Sequence, residues 1–171
     1  MSNNLSRKEK EALLDEYDKR KSLKDLFYFS KFVLGLDVVP NTHGEVCEFL
    51  SDQNRRLILI MMPRGSFKTT ISTQAYATWR LAQEPNLRIL LDSEVLQNSL
   101  NNLGVIKRIF EGHPRFRSLF GDFTSKLWTQ DHITVGKRTD IVRKEPSVTA
   151  SSIETVQGGP HYDEIICDDL H

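Results

Sequence analysis

From Arg55 to Pro114 the chain reads strand, helix, strand, helix, and few folds accommodate that order. RRLILIMMP (55–63) contains six consecutive apolar residues, Leu57 to Met62, and is ended by Pro63. A short run that is apolar at every position predicts a strand buried on both faces, as in a parallel sheet. PRGSFK follows as a turn, and TTISTQAYATWRLAQEP is helical in length and closed by Pro85. LRILLDSE repeats the strand pattern, and VLQNSLNNLGVIKRIFEGHP repeats the helix, again closed by a proline. Parallel neighbours need a crossover, usually a helix, so this alternation predicts an α/β fold with a mainly parallel sheet flanked by helices.

The flanking segments extend that frame. The first 25 residues alternate charges with Leu5, Ala12, Leu13, Leu14 and Tyr17, which predicts a surface helix with a thin apolar stripe. LKDLFYFSKFVLGL (23–36) is apolar around much of its circumference and predicts a buried helix. Pro40 and Asn41 then break the chain before a further helix at about 42–51. An N-terminal helical segment, 1–39, would thus precede the main domain, 40–171. HITVGKRTDIVRKEP suggests a short hairpin with Gly136 and Lys137 in its turn. SVTASSI and, after Gly158-Gly159-Pro160, DEIICDD predict third and fourth strands. A sheet that ends on this fourth strand is expected to be incomplete at its C-terminal side, as in the front portion of a longer protein or a split gene product.

Composition removes several function classes. With 171 residues there is room for one ordinary domain, not two large ones. Lys and Arg number 23 and so do Asp and Glu, so no global polycation drives nucleic-acid or membrane binding. The longest apolar run falls far below the roughly 20 residues of a membrane span, and the charged N-terminus is no secretory signal. Cys47 and Cys167 form no CxxC or Cys/His cluster, which points away from zinc and toward a reducing interior. The charge is divided by segment: 101–146 holds nine Lys/Arg against five Asp/Glu, whereas 147–171 holds five acids and no Lys or Arg. A basic stretch followed by an acidic end suits a site for a metal and phosphates; a solvated charged face is the competing reading.

MPRGSFKTT (62–70) lies between the first predicted strand and a helix. A phosphate-binding loop needs curled backbone N–H groups, a lysine for the terminal phosphates, a hydroxyl for magnesium and a helix N-terminus. Lys68, Thr69 and the following helix supply the last three. Against the pattern G-x-x-x-x-G-K-[ST], the glycine positions are Met62 and Phe67, and only Gly65 remains inside the loop. A basic turn capping a helix is the alternative. The second element, Ile165-Ile166-Cys167-Asp168-Asp169, is an apolar strand ending in two carboxylates at the sheet edge where ligands of α/β folds collect. In a nucleotide hydrolase the first binds magnesium and the second positions or deprotonates the attacking water; a strand cap is the alternative.

Together, PRGSFKTT after an apolar strand, LLDSEVLQNSLNNLGVIKRIFE, the FGDF and Trp128 stretch, EPSVTASSIETVQGG and IICDD resemble the ATPase half of phage terminase large subunits, the DNA-packaging motors. The resemblance runs from about Pro40 to the last residue, roughly three-quarters of the chain. It implies an additional-strand, RecA-like P-loop ATPase fold, Mg-ATP hydrolysis, and a homo-oligomeric ring on the capsid. The implied partners are the portal protein, the small terminase subunit and double-stranded DNA, all in the host cytoplasm and with no membrane. Terminases tolerate loss of the first loop glycine and often carry an arginine in the loop, as Arg64 here, whereas Phe67 departs even from that pattern. The resemblance assigns nucleotide binding to Pro63, Arg64, Gly65, Ser66, Phe67, Lys68, Thr69 and Thr70, with Lys68 on the β- and γ-phosphates. Thr69 and Asp168 would hold the metal, Asp169 would be the catalytic carboxylate where many relatives have glutamate, and Arg64 a cation on the γ-phosphate. VVPNTHGEVCEFL resembles the adenine-reading segment, with His43 as its reader; a helix-cap histidine is the alternative.

An arginine finger reaching a neighbouring subunit is expected of such motors, and Arg138 and Arg143 are its candidates. The same basic region, with Phe116, Phe120, Phe123 and Trp128 among its cations, is either a phosphate-contacting surface or, for the aromatics, core. The C-terminal nuclease of terminases has no counterpart here, so nuclease activity is expected to be absent. Two rivals remain: another P-loop DNA motor such as a helicase, and a nucleotide-binding assembly module without turnover.

Overall fold

The computed structural model describes residues 6–155 and 159–169. The chain opens on helix α1 (Arg7–Lys24), capped by a reciprocal pair in which the Ser6 hydroxyl accepts from the Glu9 N–H and the Glu9 carboxylate accepts from the Ser6 N–H. Exposed i,i+4 pairs, Arg7 with Glu11 and Glu16 with Arg20, line its outer face. It is a surface helix as expected, but the expected apolar stripe does not pack on the core, since Ala12, Leu13, Leu14 and Tyr17 are exposed. Its inner face is fastened by polar contacts: Trp79 Nε1 donates to the Ser22 carbonyl at 2.7 Å, and Arg115 pairs with Asp15 at 2.6 Å and with Asp18.

Helix α2 covers 26–33, an α-helical turn (Leu26–Tyr28) continuing as a π-helical one (Phe29–Val33). Leu26 and Phe29 are fully buried, as the apolar circumference predicts. Helix α3 covers 40–51, as Pro40–Gly44 and Glu45–Ser51. Pro40 therefore begins this helix and does not merely break the chain, because a first-turn proline lacks only an N–H that has no intrahelical acceptor. Helix α4 covers 70–83, as Thr70–Ala75 and Tyr76–Gln83; strand β1 is Ile89–Ser93 and helix α5 Leu96–Gly112. Pro114 closes α5 and opens α6 (Pro114–Phe120), whose Phe116, Leu119 and Phe120, at i, i+3 and i+4, form its buried stripe.

The sheet is completed by β2 (His132–Ile133), β3 (Val148–Ser152) and β4 (Glu164–Asp168) in the order β2-β3-β1-β4. β1 runs parallel to both β3 and β4, whereas β2 is antiparallel to β3. The fold is α/β, with a four-stranded mixed sheet flanked by helices. The expected hairpin within 132–146 is replaced by a wider one: β2 pairs with β3, and Gly136 and Lys137 lie in a turn of the connection. Gly136 is required there, since a Cβ would lie 2.3 Å from the Thr124 carbonyl oxygen. Gly158 lies outside the described residues. Phe110, Phe116 and Phe123 form one aromatic cluster, with Phe110 and Phe123 stacked at 5.1 Å, and Phe120 is buried beside them. Those phenylalanines are core residues and not a surface.

The first expected strand is corrected. Residues 57–62 form no helix and pair with no strand among the described residues, and their burial alternates with the two-residue period of an extended chain. Ile58 and Ile60 pack on the core, while Leu57, Leu59 and Met61 are 91%, 84% and 86% exposed. An apolar run becomes a strand only when a neighbour satisfies its N–H and C=O groups, and propensity alone does not provide one. Replacing Leu57, Leu59 or Met61 singly by Ser is expected to change the unfolding free energy by no more than about 0.5 kcal/mol. Ile71→Ala, at a fully buried position, costs about 2–5 kcal/mol. Denaturant titration compares the two, and a core-sized loss at Leu59 would overturn the extended, unpaired reading.

An ion-pair cluster fixes the start of β4. The Arg88 guanidinium bonds Asp163 at 2.9 and 3.0 Å and Glu145 at 3.1 Å. Backbone N–H donors, its own and that of His161, followed by Arg88, pull the Glu145 carboxyl down to about 2. A depressed acid contributes stability above its unfolded pKa and loses it as pH falls through the folded one. The contribution of Glu145 is thus complete above about pH 4.5 and lost toward pH 2. Glu145→Gln should lower stability at pH 7 and flatten its decline across that window, as followed by thermal unfolding at stepped pH.

Candidate active site

The loop after the extended segment turns on two left-handed residues, Gly65 at φ +79° and Phe67 at φ +57°. The first conformation suits glycine; the second is strained for a side chain with a Cβ. Ser66 braces the turn by donating its hydroxyl to the Pro63 carbonyl at 2.5 Å. The Ile71 N–H donates to the Phe67 carbonyl at 2.9 Å, so the helix begins immediately after Phe67, with Lys68, Thr69 and Thr70 in its first turn. The backbone at Phe67 therefore takes a glycine-type conformation at the position where the phosphate-loop pattern has glycine. Strain of this kind is retained where surrounding structure imposes it, and it gathers at functional sites.

Lys68 reaches across to the end of β4. Its Nζ lies 2.8 Å from Asp169 Oδ1 and 3.3 Å from Asp168 Oδ1. These contacts, the Asp169 hydrogen bond first, raise the Lys68 pKa against the opposing effect of burial. Asp168 is buried and Asp169 about half exposed. Asp169 is itself left-handed at φ +51°, a tight turn directly after the strand. Residues a hundred positions apart thus converge, because β4 delivers its carboxyl end beside the N-terminus of α4.

Asp168 has a second partner that sequence reasoning missed. Asn102 Nδ2 donates to Asp168 Oδ2 at 3.4 Å, and Gln74 Nε2 donates to Asn102 Oδ1 at 2.8 Å. Asn102 sits on the buried stripe of α5 with Ser99, Leu103, Ile106 and Phe110. An amide on an otherwise largely apolar stripe was the available signal, since buried polar side chains need partners.

The other expected site residues are distributed as follows. Pro63 and Arg64 are exposed at the loop, beside Lys68 in sequence. His43 is buried at the start of α3, where its Nδ1 lies 2.9 Å from the Val39 nitrogen and 3.2 Å from the Val39 carbonyl oxygen. The other ring nitrogen, Nε2, is buried with no hydrogen-bond partner among the described residues. The ring is edge-on to Phe67 at 6.0 Å, so His43 lies against the loop. Arg138 and Arg143 are gathered elsewhere. The Arg138 guanidinium donates to the carbonyls of Asp140, Arg143 and Glu145, and Arg143 pairs with Asp140 at 2.8 Å and Asp163 at 3.5 Å. A cavity of about 460 Å³ bordered by His132, Lys144, Thr149 and Tyr162 includes none of the Lys68 cluster.

The side chains brought together are a primary ammonium and two carboxylates, beside the loop and the start of a helix, a set suited to phosphate with a hard cation. Among the described residues no three His, Cys, Asp or Glu side chains gather as a metal site. A cation here would be held by one or two carboxylates and ligand oxygens, as is usual for magnesium. No family model matches the chain, and no curated protein sequence matches it.

Removing the side chain from a left-handed residue relieves strain, whereas truncating it to Ala does not. Phe67→Gly should therefore exceed Phe67→Ala in unfolding free energy by about 1 kcal/mol. Equal stabilities in denaturant titration would contradict the left-handed geometry.

Proposed function

We propose that the chain is a P-loop-type Mg-ATPase. The observation that carries this reading is the meeting of Lys68, at the start of a helix after a loop with two left-handed residues, with the paired carboxylates Asp168 and Asp169 at the end of β4. Within that class, the sequence resemblance favours the ATPase region of a phage terminase large subunit, which drives double-stranded DNA into a capsid as part of a ring on the portal protein, together with the small terminase subunit. The α/β architecture supports the class; the RecA-like P-loop topology belongs to the proposal.

In this reading the loop N–H groups and the N-terminus of α4 hold the phosphates, and Lys68 moves from the carboxylates onto the β- and γ-phosphates. Magnesium, when bound, neutralises phosphate charge and takes oxygen ligands from Thr69 and Asp168. Asp168 orients its carboxylate toward that position. Asp169, more exposed, accepts a proton from or orients the attacking water, and Arg64 places a cation at the γ-phosphate end. His43, whose Nε2 has no hydrogen-bond partner among the described residues, is the adenine reader beside Phe67. Arg138 or Arg143 would serve a neighbouring subunit only after leaving its present partners.

A ligand at about 100 times its dissociation constant stabilises the native state by about 2.7 kcal/mol, a shift of a few degrees for a chain of this size. Mg-ATP should raise the unfolding midpoint of the wild type by that amount and leave Lys68→Ala unmoved. No shift in folded wild-type protein would sink the nucleotide reading. Phosphate release stimulated by duplex DNA separates a motor from a binding module without turnover, and strand separation identifies a helicase.

A further inference from the structure

We infer that Asn102 is the positioning residue that sets the orientation of the Asp168 carboxylate, and that it does so as part of a Gln74–Asn102–Asp168 relay joining α4, α5 and β4. The inference rests on the Mg-ATP reading of the Lys68 site and adds a residue which neither the phosphate-loop pattern nor the strand-end carboxylates include.

The orientation of the amide follows from chemistry. A carboxylate only accepts, so the atom of Asn102 facing Asp168 must be the nitrogen, and the carbonyl oxygen is left for Gln74 Nε2 at 2.8 Å. Both functions of the amide are thereby occupied. Asn102 is 5% exposed and Asp168 7% exposed, so each would carry a desolvation cost without the other. A buried Asn on a helix stripe that also holds Leu103, Ile106 and Phe110 has no packing advantage over Leu, and its side-chain bonds are what it contributes.

The two oxygens of Asp168 are divided between partners. Oδ2 faces Asn102, and Oδ1 faces Lys68 at 3.3 Å. When Lys68 turns to a phosphate, Oδ1 becomes the oxygen available to a cation. Asn102 remains on Oδ2 and prevents rotation of the carboxylate. Gln74 keeps Asn102 from rotating, and because Gln74 stands on α4, the same helix that begins with Lys68, the orienting bond and the phosphate-binding end share one rigid element. Partners of metal-binding carboxylates typically affect metal affinity by about 10- to 100-fold when removed.

The test is thermal unfolding of the 171-residue chain at saturating ATP with Mg2+ titrated, giving the Mg2+ concentration at half-maximal stabilisation and, separately, the midpoint without ligand. Asn102→Ala should raise the half-maximal Mg2+ concentration about tenfold or more, and Gln74→Ala should raise it in the same direction by less. Asn102→Leu, which suits an apolar stripe, should show the same displacement with a smaller loss of ligand-free midpoint than Asn102→Ala. A merely structural Asn102 would lower the ligand-free midpoint in Asn102→Ala and leave the Mg2+ dependence of all three variants at the wild-type value, and this result overturns the inference. Should Asn102→Ala fail to fold, Gln74→Ala and Asn102→Leu decide the matter by the same readout. Absence of any Mg-ATP stabilisation in the wild type would instead reject the nucleotide reading, and the inference with it.

Discussion

Strand β4 is held to the rest of the molecule along one face, and the candidate site depends on that attachment. Among the described residues its one ladder partner is β1, which leaves its other edge without sheet bonds. Three alternate side chains compensate. Glu164 pairs with Arg80 of α4 at 2.6 Å in a nearly enclosed contact, Ile166 packs on the core, and Asp168 meets Lys68 and Asn102. The intervening Ile165 and Cys167 are exposed, as the two-residue period of a strand requires. A slip of one residue would place Asp168 on the opposite face and separate it from Lys68, so the Arg80–Glu164 pair acts as a register pin for the distant carboxylates. A well-oriented, mostly buried ion pair specifies geometry more than it adds net stability.

The second constraint is conformational. Gly65, Phe67 and Asp169 all lie in the left-handed region, one pair in the loop and one residue at the strand end that faces it. Two of the three bear a Cβ, and strain at non-glycine residues persists only where neighbouring bonds impose it. At Phe67 the imposing bonds are visible: the carbonyl accepts from Ile71, and the ring rests against His43. Phe67 is thereby held in a left-handed conformation from which Lys68, the next residue, lies beside Asp168 and Asp169.

Legibility in the sequence varied with the locality of the signal. β1, β3 and β4 were readable from strand-length runs bounded by turn residues, and α1, α4 and α5 from length, periodicity and closing prolines. The 57–62 run was misread because its composition is that of a strand while its status depends on a neighbour elsewhere in the chain. The same limit applies to β2, whose partner is β3 and not the adjacent residues. Lys68, Asp168 and Asp169 were legible as chemistry from their place after a predicted strand or at its end. Asn102 and Gln74 were not, because each is an ordinary polar residue until α4 and α5 are packed together.

The α/β alternation, the loop lysine and the strand-end carboxylates follow from local periodicity and side-chain chemistry, whereas Phe116, Phe120 and Phe123 suited either a surface or a core until the packing buried them. Packing settles that 57–62 stands outside the ladder among the described residues, that Lys68 meets Asp168 and Asp169, and that Asn102 bridges Gln74 and Asp168. Each of these depends on contacts between residues far apart in the chain, and the energy that selects such contacts comes from burial and hydrogen-bond satisfaction across the whole molecule, which no local pattern encodes.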